Sequence, residues 1–236
     1  MSADQNQHYL PQRYQRGWSD DSGRPHVYRW AYNKLVCKPM ATRSTGGRQG
    51  LYFIPMAPPG RQNMMEDGFW KLIDQWGADG LALLKSHEPA DAKKLNRERL
   101  ATFIMSFFFR NPNRVQYFNA WAKESVLNGC LKDDYANHRK PHEPPTFEEF
   151  RAALDQPGMT ELAALCLRHQ VGNNVIRDQI LTMDWQVVTV PTTSDPILTS
   201  DVPIIINSGL KKDDGCLILP LSTDEFLWLI TTARST

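Results

Sequence analysis

The sequence predicts an α+β fold: a bundle of about five helices packed on a small, mainly antiparallel sheet formed by both chain ends. Three observations carry this. Period-two alternation of aromatic and β-branched residues marks both ends, helical periodicity fills the middle, and the order runs strands, helices, strands. That order lacks the strand–helix alternation of a parallel α/β sheet. With 236 residues, a single domain over 1–236 is expected.

At the start, residues 1–7 read as disordered. His8 to Tyr14 reads as extended, because Pro11 disfavours helix at Leu10. Gly17 and Ser19-Asp20-Asp21-Ser22-Gly23 signal a turn, with Tyr14 and Trp18 before it. After it, Val27-Arg29-Ala31 alternates with Tyr28-Trp30-Tyr32, which predicts a hairpin that Leu35 to Cys37 continues. A polar loop over 41–50 follows, then a short strand Leu51 to Ile54 and a Pro-rich connection over 55–63.

Helices take over at Glu66. Phe69, Ile73 and Trp76 share one face of a helix to about Lys85, weakened by Gly77 and Gly80. A second runs from about Asp91 to Arg110. Asn111-Pro112 is an N-cap followed by proline at the first helical position, and it restarts the chain as a third. Lys132 to Pro145 reads as a long polar loop. Thr146-Phe147-Glu148-Glu149 is a capping box for a short helix ending at Pro157-Gly158. Thr160 opens the longest helix, to about Met183, with Leu162, Leu165, Cys166, His169 and Val175-Ile176 near one buried face. Strands return at Trp185–Val190, Ile197–Leu198, Ile204–Ile206, Cys216–Leu219 and Phe226–Ile230, with turns at Asn207–Gly209 and Asp213–Gly215.

Composition excludes several classes. No apolar run approaches the ~18 residues of a membrane span, and the polar N-terminus lacks a signal peptide's apolar segment, so a cytoplasmic protein is expected. Cysteines at 37, 130, 166 and 216 form no CxxC pair, which argues against a zinc knuckle and for reduced thiols. Walker, GxGxxG, HExxH and GxSxG motifs are absent, which disfavours nucleotide-driven motors, Rossmann dehydrogenases, zincins and lipase-like hydrolases. Charge is uneven. Residues 1–50 hold eight Lys and Arg against three Asp, a net +5, while the remainder holds 19 against 23, a net −4. A basic end suits a phosphate or polyanion partner, or simply a solvated surface.

The candidate site joins the two ends. His8 lies in a polar segment, where an imidazole serves as general base or metal ligand, or anchors the terminus by hydrogen bonds. Asp201 follows Thr199 and Ser200 at a strand end. Its carboxylate suits a metal or a catalytic histidine, and the hydroxyls an oxyanion, while the same residues also make ordinary turns. Gln12, Arg13, Arg110 and Ser200 are the expected substrate contacts, the arginines as phosphate clamps; Arg110 otherwise caps its helix. Glu66, Asp67 and Asp74 complement a divalent metal or answer a helix macrodipole. Tyr9, Tyr14, Trp18, Tyr28 and Trp30, interleaved with arginines, offer either a base-stacking surface or sheet pairs.

The ordered set His8-Tyr9-Leu10-Pro11, His26-Val27-Tyr28-Arg29-Trp30, Arg110-Asn111-Pro112, Trp185-Gln186-Val187, Thr199-Ser200-Asp201-Val202-Pro203 and Leu219-Pro220-Leu221-Ser222 resembles an uncharacterised bacterial domain-of-unknown-function family across nearly the whole chain. Members carry glutamates along the first long helix, where this chain has Glu66, Asp67 and Asp74, and they continue further after the last strand. The resemblance therefore implies a C-terminal element beyond Thr236 and no defined activity. From the residues, two functions are expected. One is a phosphoester hydrolase of nuclease or phosphodiesterase type acting on nucleic acid or nucleotide phosphate. The other is a non-catalytic binding or scaffold module of a bacterial stress or defence system.

Overall fold

The computed structural model describes residues 6–55, 57–87, 95–129, 131–153, 156–172, 174–191 and 193–231. The α+β class holds. Strand β1 (Asn6–His8) leads into a one-turn helix α1 (Gln12–Gln15) and a 3-10 turn over Arg16–Trp18. A hairpin of β2 (His26–Ala31) and β3 (Lys34–Pro39) follows, and β4 (Gly47–Gln49) returns to pair with β1. A π-helical turn over Met65–Trp70 runs directly into α2 (Lys71–Lys85). Helices α3 (Arg97–Ser106), α4 (Pro112–Leu127), α5 (Lys132–His138), α6 (Phe147–Ala153), α7 (Gln156–Gly172) and α8 (Asn174–Thr182) complete the middle. Strands β5 (Asp184–Thr189), β6 (Ile205–Asn207), β7 (Cys216–Pro220) and β8 (Glu225–Ile230) close the chain as an antiparallel sheet of order β5-β8-β7-β6.

Two parts of the expected architecture are corrected. The middle holds seven α-helices among the described residues rather than about five, because the polar stretch after residue 131 forms α5 and the final long helix is two segments. Among the described residues the chain ends also do not share a sheet: β1 pairs with β4, and β2 with β3. The ends meet through side chains instead. Tyr14 donates its hydroxyl to the Pro220 carbonyl at 2.8 Å and lies 3.1 Å from the Thr199 hydroxyl. Trp18 Nε1 donates to the Ile197 carbonyl at 2.9 Å. Burial pushes the Tyr14 phenol well above its ordinary pKa, so it stays a neutral donor.

Locally, several signals act as read. Asn111 accepts from the Arg114 N–H at 3.1 Å, and both legs of the Thr146/Glu149 capping box form at 3.2 Å. Others fall differently. The Ser19–Gly23 turn forms, closed by an antiparallel bridge between Ser19 and Pro25, but residues 12–18 before it are helical, and the hairpin's own turn is Tyr32-Asn33, with φ of 53° and 56°. Gly47–Gln49, read as loop, is a strand, whereas Leu51–Ile54 is not. Ile197–Leu198 likewise forms no strand. Helix α7 buries Ala163, Leu167 and Val171, leaving Leu165 and His169 exposed, so the predicted face is rotated by about a third of a turn. Residues 1–5, part of the segment read as disordered, and the start of the predicted Asp91 helix lie outside the described residues.

The core sits between the helices and the C-terminal sheet. Alternation on β7 and β8 sends Leu217, Leu219, Leu227 and Leu229 inward at full burial, against Leu100, Phe103, Ile104 and Phe107 of α3 and its end. Leu10 and Tyr14 belong to the same core, which fixes the N-terminal segment on it.

Candidate functional site

Strand β1 and the first turns before α2 hold a buried polar network centred on Arg110. The arginine leaves the end of α3 and is 1 % exposed. Its Nη1 and Nη2 donate to the two carboxylate oxygens of Asp74 at 2.5 and 3.2 Å, and Nη2 also donates to the His8 carbonyl at 2.8 Å. The Trp70 ring lies 5.0 Å from the guanidinium carbon, and the Tyr52 hydroxyl donates to the Arg110 carbonyl. Burial alone would lower the arginine's pKa, but Asp74 overrides it and holds the charge more firmly than usual.

Glu66 completes the network. Its Oε1 accepts from the His8 N–H at 3.4 Å, while Oε2 is buried with no partner among the described residues. Burial pushes its carboxyl up to about 7, against the pull of Arg110 and the His8 amide. Burial lowers the His8 imidazole, although the Arg43 carbonyl opposes it; Nε2 is buried without a partner. A neutral imidazole and a carboxyl titrating near neutrality thus sit on either side of one backbone amide. Beneath them, Gln7 is fully buried. It donates to Asn63 at 3.0 Å and accepts the Tyr52 N–H, which fastens β1 to the chain entering α2.

Asp74 also lines the floor of a cleft of about 310 Å³ between α1 and α2. Its rim carries Arg13, Arg16 and Lys85, three cations whose nearest wall carboxylate, Asp74, is already held by Arg110. Burial lowers the Lys85 ammonium despite Glu225 and Asp224, and its Nζ donates to the Leu221 carbonyl at 2.8 Å.

The residues nominated from sequence therefore divide. His8 and Arg110 meet, through the His8 carbonyl. Arg110 is spent on internal partners, and Arg13 is exposed at the cleft. Gln12 accepts from the Thr42 hydroxyl at 3.3 Å. Ser200 makes a local turn, accepting from the Val202 N–H and donating to the Val202 carbonyl. Asp201 is exposed; its charge reaches Tyr9, whose phenol is raised by burial and then by that carboxylate. Of the carboxylates expected to complement a divalent ion, Asp74 is taken by Arg110, Glu66 faces His8 and Arg110, and Asp67 is exposed. No group of three metal-ligating side chains forms among the described residues, and this set, built round a buried guanidinium, does not fit a cation. Sequence reasoning named Arg16 only among the arginines interleaved with the N-terminal aromatics, and missed Lys85, Gln7, Asn63 and Tyr52. Lys85 had a signal, lying one helical repeat beyond Ala78 and Leu81 on the face α1 covers; the polar pair Gln7 and Asn63 had none.

These features define an α+β domain in which an N-terminal strand and turn seal an arginine–carboxylate network beside a basic cleft. The chain belongs to the family described as Protein of unknown function (DUF4238), whose family model matches residues 6–235. No curated protein and no solved structure matches it. Among the described residues, no helix is long and apolar enough to cross a membrane.

Proposed function

We propose that this protein recognises a phosphate-bearing ligand, a nucleotide or nucleic acid phosphate, in the cleft between α1 and α2. The observation that carries the reading is the convergence of Arg13, Arg16 and Lys85 on one cleft whose wall carboxylate is neutralised from behind. Its size suits a small ligand. Guanidinium forks pair with phosphate oxygens in a bidentate way, and a partly desolvated lysine adds a point charge. Titration calorimetry with inorganic phosphate and with a mononucleotide tests this. Arg13→Ala and Arg16→Ala are each expected to weaken binding about tenfold, with a steep loss at high salt. Equal affinity in both variants overturns the reading.

The hydrolytic version of this reading, a phosphoester hydrolase, adds His8 as base, with Asp201 and Ser200 as orienting groups. The His8 imidazole, lowered by burial and with its Nε2 unpartnered among the described residues, favours it. A nuclease and phosphodiesterase panel is expected to show activity that His8→Ala and Asp201→Ala each abolish at nearly unchanged melting temperature. Binding without turnover in that panel leaves the non-catalytic binding module of a stress or defence system.

A further inference from the structure

We infer that the β2–β3 hairpin is a docking surface for single-stranded nucleic acid, a surface separate from the cleft. Among the described residues the hairpin pairs only with itself. Its register sets Tyr28 opposite Cys37 and Trp30 opposite Leu35, so these four side chains share one face. That face is open: Tyr28 is 55 %, Trp30 72 % and Leu35 62 % exposed, and Tyr32 in the turn is 93 % exposed. Among the described residues, none of these three rings stacks on another ring. Leaving such rings in water forgoes the burial that stabilises the rest of the fold, and contiguous exposed apolar faces mark interaction sites.

Charge says what covers it. Between residues 24 and 40 stand Arg24, Arg29, Lys34 and Lys38, and no Asp or Glu. All four cations are exposed. Of the two acids that precede this stretch, Asp20 and Asp21, Asp20 is occupied by the Ser22 N–H, the Ser22 hydroxyl and the Arg24 N–H. By the same register Arg29, Lys34 and Lys38 stand on the opposite face of the two-stranded ribbon from the rings, and side chains of their length span the thickness of a ribbon at its edges. Rings two residues apart on one strand stand ~6.8 Å apart, about twice the ~3.4 Å rise per nucleotide of a strand. One base therefore fits between Tyr28 and Trp30, and the strand's phosphates meet the cations of the opposite face where the backbone passes the ribbon's edge. The face carries the flat rings of Tyr28 and Trp30, with Leu35, Cys37 and Pro39 opposite His26 and the rings, and Leu35 is its one branched aliphatic side chain, which favours stacking over insertion into lipid.

The test uses the full chain and fluorescence anisotropy with a labelled oligothymidylate, a same-sequence duplex and vesicles containing anionic lipid. Single-stranded oligonucleotide is expected to bind in preference to duplex. Trp30→Ala should weaken it about tenfold or more, and Lys34→Glu with Lys38→Glu should flatten its salt dependence. Phosphate binding in the cleft should stay unchanged in both the Trp30→Ala variant and the Lys34→Glu, Lys38→Glu double variant, which serves as the folding control. Four results overturn the inference: no oligonucleotide binding at low salt, equal binding by Trp30→Ala, loss in Trp30→Ala confined to vesicles, or oligonucleotide binding that Arg13→Ala and Arg16→Ala abolish while the hairpin variants keep it. The last leaves the cleft reading standing.

Discussion

Glu66 is where one atom's surroundings translate most directly into a measurable property. Its carboxyl titrates near 7 in the fold because burial outweighs the help of Arg110, and near ~4.3 in the unfolded chain. Between those values the folded protein holds a proton that the unfolded chain has released, so stability falls as pH rises through that window. Glu66→Gln has no such proton to lose. The variant should match the native protein near pH 4.5 and melt progressively higher than it toward pH 8; a constant difference across that range rejects the burial argument. His8 acts with the opposite sign. Its lowered pKa means the unfolded chain gains a proton first as pH falls below ~6.5, so its contribution fades on the acid side. The Arg110–Asp74 pair sets the larger scale. Asp74→Ala leaves a fully buried guanidinium without its counterion, which costs about 3 kcal/mol. An Arg110→Met, Asp74→Leu double variant, measured by urea unfolding, should recover much of that loss, because no buried charge is then left unmatched.

At the scale of elements, α2 and α3 illustrate a residue choice that propensity alone misreads. Gly77 and Gly80 look like defects in a helix. In the structure they are the reason α3 approaches so closely: a Cβ at 77 would stand 2.2 Å from the Phe103 ring, and one at 80 would stand 3.1 Å from Leu100. Gly77→Ala should therefore lower stability by about 1–3 kcal/mol despite the better helix former, whereas Gly172→Ala, with open space around it, should not. Thermal melts of the two variants separate these outcomes. The same elements show what was legible in the sequence. Caps declared themselves because Asn111 and Thr146 act within one turn of their own position. Leucine alternation placed β7 and β8 because a half-buried sheet imposes period two. The Tyr32-Asn33 turn and the true face of α7 were not legible, since each depends on what lies across the fold: a free hairpin tolerates positive φ at its tip, and α7 rotates to meet α4. The site was legible in part for the same reason. His8 and Arg110 could be nominated by type, but the Gln7–Asn63 contact spans 56 residues and follows no local rule.

For the whole molecule, the question is whether the chain ends are ornaments or part of the cooperative unit. Tyr14 is 3 % exposed, packs its ring 5.2 Å from Phe107 and bonds to Pro220 and Thr199. Gly17 lies so close to the Leu221 carbonyl that a Cβ would stand 2.2 Å from it. Lys85 reaches the same carbonyl from α2. Helix, N-terminal turn and C-terminal sheet are thus joined at one point, and none of the three can leave without exposing the others' apolar surface. Parts joined in this way should unfold as one transition, with near- and far-ultraviolet circular dichroism coincident in urea. Tyr14→Phe keeps the ring but strands the Pro220 carbonyl, so it should cost about 1–2 kcal/mol and shift both signals together. Tyr14→Ala, which also removes the packing against Phe107, should cost more while keeping the transitions coincident. If instead the near-ultraviolet signal melts first and the helical signal stays at its original midpoint, the C-terminal sheet is a separate folding unit, and the ends are held by a latch rather than by a shared core.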